Sequence, residues 1–350
     1  MRIKLRADTE EATAVVRLFV ILVIAIIVGG VISPLSLSYR GLTVALVSFA
    51  VELGLVTLGQ SLVILTGGID LSVTGVAAMT GITVGALATH GAPTVVLVIV
   101  GLAVGLAGGL VNGIMVAYVG APPIMATLGS GILFGGIALG VSGGPAYSVF
   151  PSGFLQLGQG ESGIPNQVLL FVIIFAFAIV ASRRTRFGRW TYATGTSPAA
   201  SRLSGIPVKS VLMGVYAASG LLAAIAGMVI TARVNSSVYS MGASLILASV
   251  TAAVLGGMSV AGGKGSLGGA LLGVLTISMI QSAMTLRGVK TETQSMVVAV
   301  LLLVILLTSR VSIRALLNRL TPGTRAPAGS GTCATGEAVS IDVPPEGNHP

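Results

Sequence analysis

Charge is scarce in this sequence: only 8% of its 350 residues are Asp, Glu, Lys or Arg, against roughly 25% in a soluble domain. That shortage excludes an ordinary soluble enzyme, and it equally excludes a disordered chain, which would be rich in charge. Cysteine is nearly missing. Cys333 stands alone in a polar C-terminal stretch, so no disulfide within the chain and no cysteine metal site can form. His90 and His349 are the only histidines, which rules out a histidine cluster. Aromatics amount to 5%, with one Trp and six Tyr, too few to furnish stacking platforms for sugars. Short alternating segments are absent as well, which excludes a β-barrel.

What fills the space is apolar. The chain is 54% hydrophobic with a mean hydropathy of +1.00. Its 49 glycines are about twice the usual share, which suits closely packed transmembrane helices. The expected fold class is therefore all-α, a polytopic transmembrane helical bundle. A crossing helix needs about 20 apolar residues, and that rule yields ten candidate spans: 15–34, 43–65, 72–90, 94–118, 122–142, 167–182, 209–232, 244–260, 265–286 and 292–309. The third, sixth and eighth are short or glycine-rich, so broken or re-entrant helices are expected there. No cleaved signal segment is expected, because the first apolar run is long and no Ala-x-Ala site follows it.

The net charge of +9 is better explained by cytoplasmic loops than by nucleic acid, for which no motif is present. With the N-terminus in the cytoplasm, only Arg40, Arg233, Arg287 and Lys290 fall outside, leaving 15 of the 19 basic residues inside. An even number of spans with both termini cytoplasmic gives this asymmetry. The expected organisation is a cytoplasmic segment over 1–14, a membrane domain over 15–310 with a basic inner loop at about 183–209, and a cytoplasmic tail over 311–350. Beyond residue 322 the tail is too polar to bury a core. The outer loop, about 142–166, contains neither Lys nor Arg.

Within the spans the few polar residues stand out. Asp70 lies in Gly67-Gly68-Ile69-Asp70-Leu71-Ser72, between two apolar runs. A carboxylate there costs about 2.5–3.5 kcal/mol on insertion scales. The paired glycines permit a sharp turn, after which Asp70 and Ser72 are placed to cap a helix starting at Leu71. Asp70 is thus either a helix cap or a contact for substrate or gating, or both. Glu52 sits inside the second span with Gln60 two turns on, on roughly the same face. Asn112 and Thr127 are similar: each lines a polar path or bridges helices. The pairs Gly67-Gly68 and Gly256-Gly257 end two apolar segments alike, through internal duplication or chance.

The inner loop carries a strong local helix signal. Ser197 is an N-cap with Pro198 at the first helical position, and Ala199, Ala200, Ser201, Arg202, Leu203 and Ser204 supply one to two turns. Gly205 and Pro207 stop it. So short a helix is marginal alone and must dock on a partner or on the protein's own face, with Arg186 and Arg189 at the rim. No Walker A loop is present: in Gly262-Gly263-Lys264-Gly265, Gly265 stands at the Ser/Thr position. No nucleophile–base or metal set is apparent either.

The run Leu62-Val63-Ile64-Leu65-Thr66-Gly67-Gly68-Ile69-Asp70-Leu71-Ser72-Val73 resembles the signature of the ribose-type permease family, membrane subunits of bacterial ABC importers. Further matches are Val111-Asn112-Gly113, Pro123-Ile124-Met125-Ala126-Thr127-Leu128-Gly129, Ser142-Gly143-Gly144-Pro145, Gly188-Arg189-Trp190-Thr191-Tyr192-Ala193-Thr194-Gly195, Ala199–Ile206 and Ala252-Ala253-Val254-Leu255-Gly256-Gly257. The resemblance implies a multi-pass subunit of the bacterial inner membrane, about ten spans long, that pairs with a second permease subunit as a homodimer or heterodimer. It implies a cytosolic ATPase that binds ATP in its place, so that this chain holds no cofactor or metal. That ATPase would grip the 197–205 helix. It also implies an extracytoplasmic solute-binding protein near the 142–166 loop. Two places depart from the family pattern by losing charge: Ser197-Pro198-Ala199 and Leu245-Ile246-Leu247-Ala248. The expected cargo is a sugar or similar neutral polar solute. The competing expectation is an ion-coupled secondary transporter using Glu52 and Asp70.

Overall fold

The computed structural model describes residues 33–160 and 164–310, with scattered positions between 19 and 31. The expected 15–34 span therefore falls largely outside the described residues, as do the 1–14 segment, Cys333 and the tail over 311–350. Elsewhere the chain is helical, with no strand among the described residues beyond a two-residue bridge of Tyr147 to Ser237.

Its helices are α1 (Tyr39–Val44), α2 (Val51–Leu65), α3 (Val73–Thr89), α4 (Thr94–Ile114), α5 (Pro123–Ser142), α6 (Ser152–Gln159), α7 (Asn166–Arg184), α8 (Arg186–Thr196), α9 (Pro198–Leu203), α10 (Val208–Val234), α11 (Leu245–Leu255), α12 (Leu267–Leu286) and α13 (Thr291–Arg310). A π turn over Ala45–Ala50 joins α1 to α2, and another over Met115–Val119 extends α4. Among the described residues six helical runs are long and apolar enough to cross a membrane: Gly41–Leu65, Thr94–Val119, Pro123–Ser142, Asn166–Arg184, Val208–Val234 and Leu267–Leu286. A helix stands at each candidate segment from 43–65 onward.

Of the three segments expected to be short or broken, two are. α3 has 17 residues and α11 only 11. The sixth segment is instead a full helix of 19 residues, α7, because its bulky Leu, Ile and Phe run contains no glycine to interrupt it. In a hydrocarbon setting every backbone polar group must bond within the protein, so the ends of the short helices need partners. α2 ends with Gly67 at φ +82°, Gly68 N–H donating back to the Val63 carbonyl (3.1 Å). α11 ends the same way, with Gly257 at φ +85° and Met258 N–H donating to the Ala253 carbonyl (3.1 Å). This is one Schellman stop used twice, so the glycine echo in the sequence is a shared helix-ending geometry.

The centre of the bundle is α10, which packs most extensively on α4 and then on α2 and α3. Glycines 101, 105, 109 and 113 form a ridge four residues apart on α4. A methyl on Gly105 would overlap Ala224 and the Gly220 carbonyl, and one on Gly109 would overlap the Tyr216 carbonyl. The two helices therefore touch backbone to backbone, the small-residue packing that lipid-embedded helices rely on.

Two helices were not expected. α6 forms within the 142–166 loop because Phe154 is fully buried against Val84, Leu97 and Met228 and stacks on Phe150. α8 forms just before the anticipated short helix. Its cap is Thr185, whose Oγ1 accepts from Gly188 N–H (3.2 Å), and its buried stripe is Gly188, Thr191 and Thr194.

Candidate functional site

The break between α2 and α3 is the polar heart of the molecule. Asp70 is 1% exposed. Its Oδ1 accepts from Ser72 N–H (2.9 Å) and Ser72 Oγ (2.6 Å), and its Oδ2 accepts from Ser219 Oγ of α10 (2.7 Å). Ser72 Oγ in turn accepts from Asn112 Nδ2 of α4 (2.6 Å), and Asn112 Oδ1 accepts from Ser130 Oγ of α5. Thr127 Oγ1, also of α5, accepts from Leu71 N–H (3.0 Å) and donates to the Pro123 carbonyl (2.8 Å). Gln60 of α2, with its amide oriented to satisfy both ends, donates to the Asp70 carbonyl (2.9 Å) and accepts from Asp70 N–H (3.2 Å). The Tyr216 ring closes the knot, its hydroxyl beside Gly68.

So Gln60, Asp70, Ser72, Asn112 and Thr127 come together in one buried cluster as bridges between helices, with Gly68 buried beside them and Gly67 exposed at the turn. Ser130 and Ser219 complete it and were not singled out from the sequence. The helix-cap expectation for Asp70 and Ser72 needs correction. The helix begins at Val73, and Ser72, its N-cap, makes no side-chain cap bond. The hydroxyl that would cap it is already taken by Asp70 and Asn112.

Glu52 lies elsewhere. It is buried and bonds a neighbouring helix: its Oε1 accepts from Arg233 Nε (2.5 Å), near the C-terminal end of α10. Arg233 was assigned from the sequence only as an outer loop charge. α6 fixes its backbone, since Gln159 Nε2 donates to the Arg233 carbonyl (3.1 Å) and Gly158 packs against it. The pair stands in the wall of a cavity of about 370 Å³, next to another of about 390 Å³.

The third feature is α9 and its seat. Ser197 Oγ accepts from Ala200 N–H (3.2 Å), and Pro198 occupies the first turn. Gly205, at φ +77°, and Ile206 close the helix, with Ile206 N–H donating to the Ser201 carbonyl (3.0 Å). Ser201 faces the protein while Leu203 is 92% exposed. Arg189 donates to the Arg184 carbonyl one turn away (3.5 Å). Just before α9, Gly195 is wedged so tightly that a methyl there would overlap the Leu65 carbonyl. That carbonyl also accepts from Gly263 N–H (2.9 Å), while Tyr192 donates to the Gly265 carbonyl (3.0 Å). The Gly262-Gly263-Lys264-Gly265 turn thus joins the end of α8, just ahead of α9, to the end of α2. Among the described residues no group of three or more His, Cys, Asp or Glu could hold a metal.

Comparison with known proteins gives a consistent picture. Residues 42–306 match a family model described as "branched-chain amino acid transport system / permease component". The chain is 35% identical to the ribose import permease protein of Bacillus subtilis over 295 residues, 83% of this chain and 91% of the relative. It is 32% identical to the autoinducer 2 import system permease protein of Salmonella paratyphi A over 305 residues, 85% of this chain and 92% of the relative. A probable ABC transporter permease protein of Sinorhizobium fredii is 35% identical over 260 residues, 74% of this chain and 78% of the relative. No solved structure matches the chain.

Proposed function

This chain belongs to the family of membrane permease subunits of ABC importers, and from that premise we propose that it forms the path by which a sugar, or a similar neutral polar solute, crosses a bacterial inner membrane. In this reading it has ten spans, both termini lie in the cytoplasm, and two copies make the pore. ATP is bound and hydrolysed by a separate cytosolic subunit, and this chain carries no nucleotide site of its own. A solute-binding protein delivers cargo on the outer side, at the 142–166 loop. The names of two relatives, an importer of ribose and one of autoinducer 2, favour polyhydroxylated cargo over the amino acids in the family model's description.

The observation that carries the coupling part of this proposal is α9. A six-residue helix capped at both ends, with a leucine left 92% exposed, is built to be covered by another protein. Ser197, Pro198, Ala199, Ala200, Arg202, Leu203 and Gly205 shape it, and Arg189 flanks it. The glycine junction behind it runs from Gly195 through Gly263 to Leu65 and so to Gly67 and Asp70. Movement of α9 by the ATPase is passed along that junction to the α2–α3 break, where Asp70, Ser72, Asn112, Thr127 and Gln60 act as the gating knot. The test is co-purification from detergent extract: the ATP-binding cassette protein accompanies the wild-type chain and is lost with Leu203→Glu at unchanged abundance. Retention of the ATPase by Leu203→Glu and by Arg202→Glu would remove α9 as the docking element.

A further inference from the structure

The proposed transport path leaves open where, within this chain, a cargo molecule is held. The buried knot at Asp70 is a poor candidate, since its carboxyl oxygens are committed to Ser72 and Ser219. The two cavities beside Glu52 are different. Gly242, Ser244, Gln281, Thr291 and Ser295 line both, so they form one bilobed chamber. Each lobe lies within the roughly 300–1,000 Å³ of small-molecule sites.

Its lining mixes polar and apolar groups and is electrically balanced. Glu52 and Arg233 neutralise each other, and Lys290 in one lobe is matched by Glu292 in the other. The four charges sum to zero, so the lining as a whole favours no ligand of net charge. Hydrogen-bonding capacity is plentiful. The ion pair uses one guanidinium donor and one carboxyl oxygen, while Arg has five N–H donors to offer. Gln281 is 8% exposed, and its amide makes no hydrogen bond to any described residue. Buried amides ordinarily find partners, and the space that this one faces is the chamber. Phe49, in the π turn ahead of α2, adds a flat apolar wall, and such turns are frequent at functional sites.

We infer that this chamber, walled by α2, α10, α12 and α13, is a cargo site for a neutral polyhydroxylated molecule, with Gln281 and the Glu52–Arg233 pair as its hydrogen-bonding core. The inference rests on the permease reading and adds to it a location for the cargo within this chain. A polyol supplies donors and acceptors in equal supply, which suits a wall of hydroxyls, one amide and a paired acid and base. An amino-acid zwitterion would have to rely on the exposed Lys290 and Glu292 for its two ends, since the Glu52–Arg233 pair is spent on itself.

The experiment is a thermal-unfolding titration of the full chain in lipid nanodiscs with D-ribose, D-glucose, myo-inositol and L-leucine as probes. At least one of the three polyols is expected to raise the unfolding midpoint in a saturable way, with L-leucine giving no shift. Gln281→Leu is expected to weaken that response at least tenfold. Ser244→Trp, at an exposed position in the shared lining, is expected to abolish it while leaving the ligand-free midpoint in place. A response to L-leucine alone overturns the chemical class, and a polyol response unchanged in both variants overturns the location. No response to any polyol, in a chain that still co-purifies with its ATPase, overturns the chamber and leaves the permease reading standing.

Discussion

Ser72 Oγ has one proton to give and two lone pairs to accept with. It gives the proton to Asp70 and accepts from Asn112, so the directions of the bonds in the knot are fixed. Removing the acceptor at its centre leaves Ser72 N–H and Ser219 Oγ buried without a partner, and the Ser72 hydroxyl proton without an acceptor, each costing about 1–3 kcal/mol. Asp70→Ala is therefore expected to lose about 3 kcal/mol or more in stability, read as a lower unfolding midpoint in detergent. Asp70→Asn keeps the shape and an acceptor at Oδ1, and its amide can donate to Ser219, so the loss is expected to be well under half as large. Equal loss in both variants would show that charge, rather than hydrogen bonding, holds the knot. Much of this cluster was legible in the sequence. Gln60, Asp70, Asn112 and Thr127 are conspicuous because polar groups inside apolar runs need partners. Ser130 and Ser219 were not, since a serine in a membrane helix can satisfy itself on its own backbone. Glu52 was seen but not its partner, because Arg233 lies 181 positions away and reads as a loop charge.

Among the elements, the short ones were read best where chain chemistry is local. The Ser-Pro start and Gly stop of α9 were plain because capping needs only neighbouring residues. α8 and α6 were missed because what stabilises them is distant. Gly188, Thr191 and Thr194 give α8 a buried face that is not apolar in composition, and α6 depends on the pocket that takes Phe154. The α4–α10 contact lies between these extremes. Its four-residue glycine spacing is written in the sequence, whereas the partner helix is not. A matched pair of variants tests it. Gly109→Ala pushes a methyl onto the Tyr216 carbonyl and is expected to cost about 1–3 kcal/mol as overpacking. Gly136→Ala in α5 meets nothing within 4 Å and is expected to be neutral or slightly stabilising, by up to about 1 kcal/mol. Equal unfolding midpoints for the two would mean that α4 and α10 are not in backbone contact.

For the whole molecule, the distribution of basic residues is the physical ground for orientation. Cys333, the sole cysteine, provides a native reporter of it. With the tail in the cytoplasm, a membrane-impermeant maleimide is expected to label Cys333 in inside-out vesicles and in permeabilised cells, but not in intact ones. Labelling in intact cells would invert the topology and place α9 where no ATPase can reach it. The proposed function divides the labour accordingly: α9 for docking, the buried Asp70 knot for gating, and the chamber beside the C-terminal end of α10 for cargo. Under the proposed function cargo identity rests with the binding protein and that chamber, which is why little of it was readable in the chain. The most direct measurement of the central claim is uptake by proteoliposomes holding this chain with and without its co-purifying ATPase and binding protein. Uptake of the bound cargo is predicted only with all three components and ATP on the cytoplasmic side, and it is predicted to vanish with Leu203→Glu. Uptake by this chain alone that follows a proton or sodium gradient would contradict the account and make Glu52 and Asp70 coupling groups of a secondary transporter.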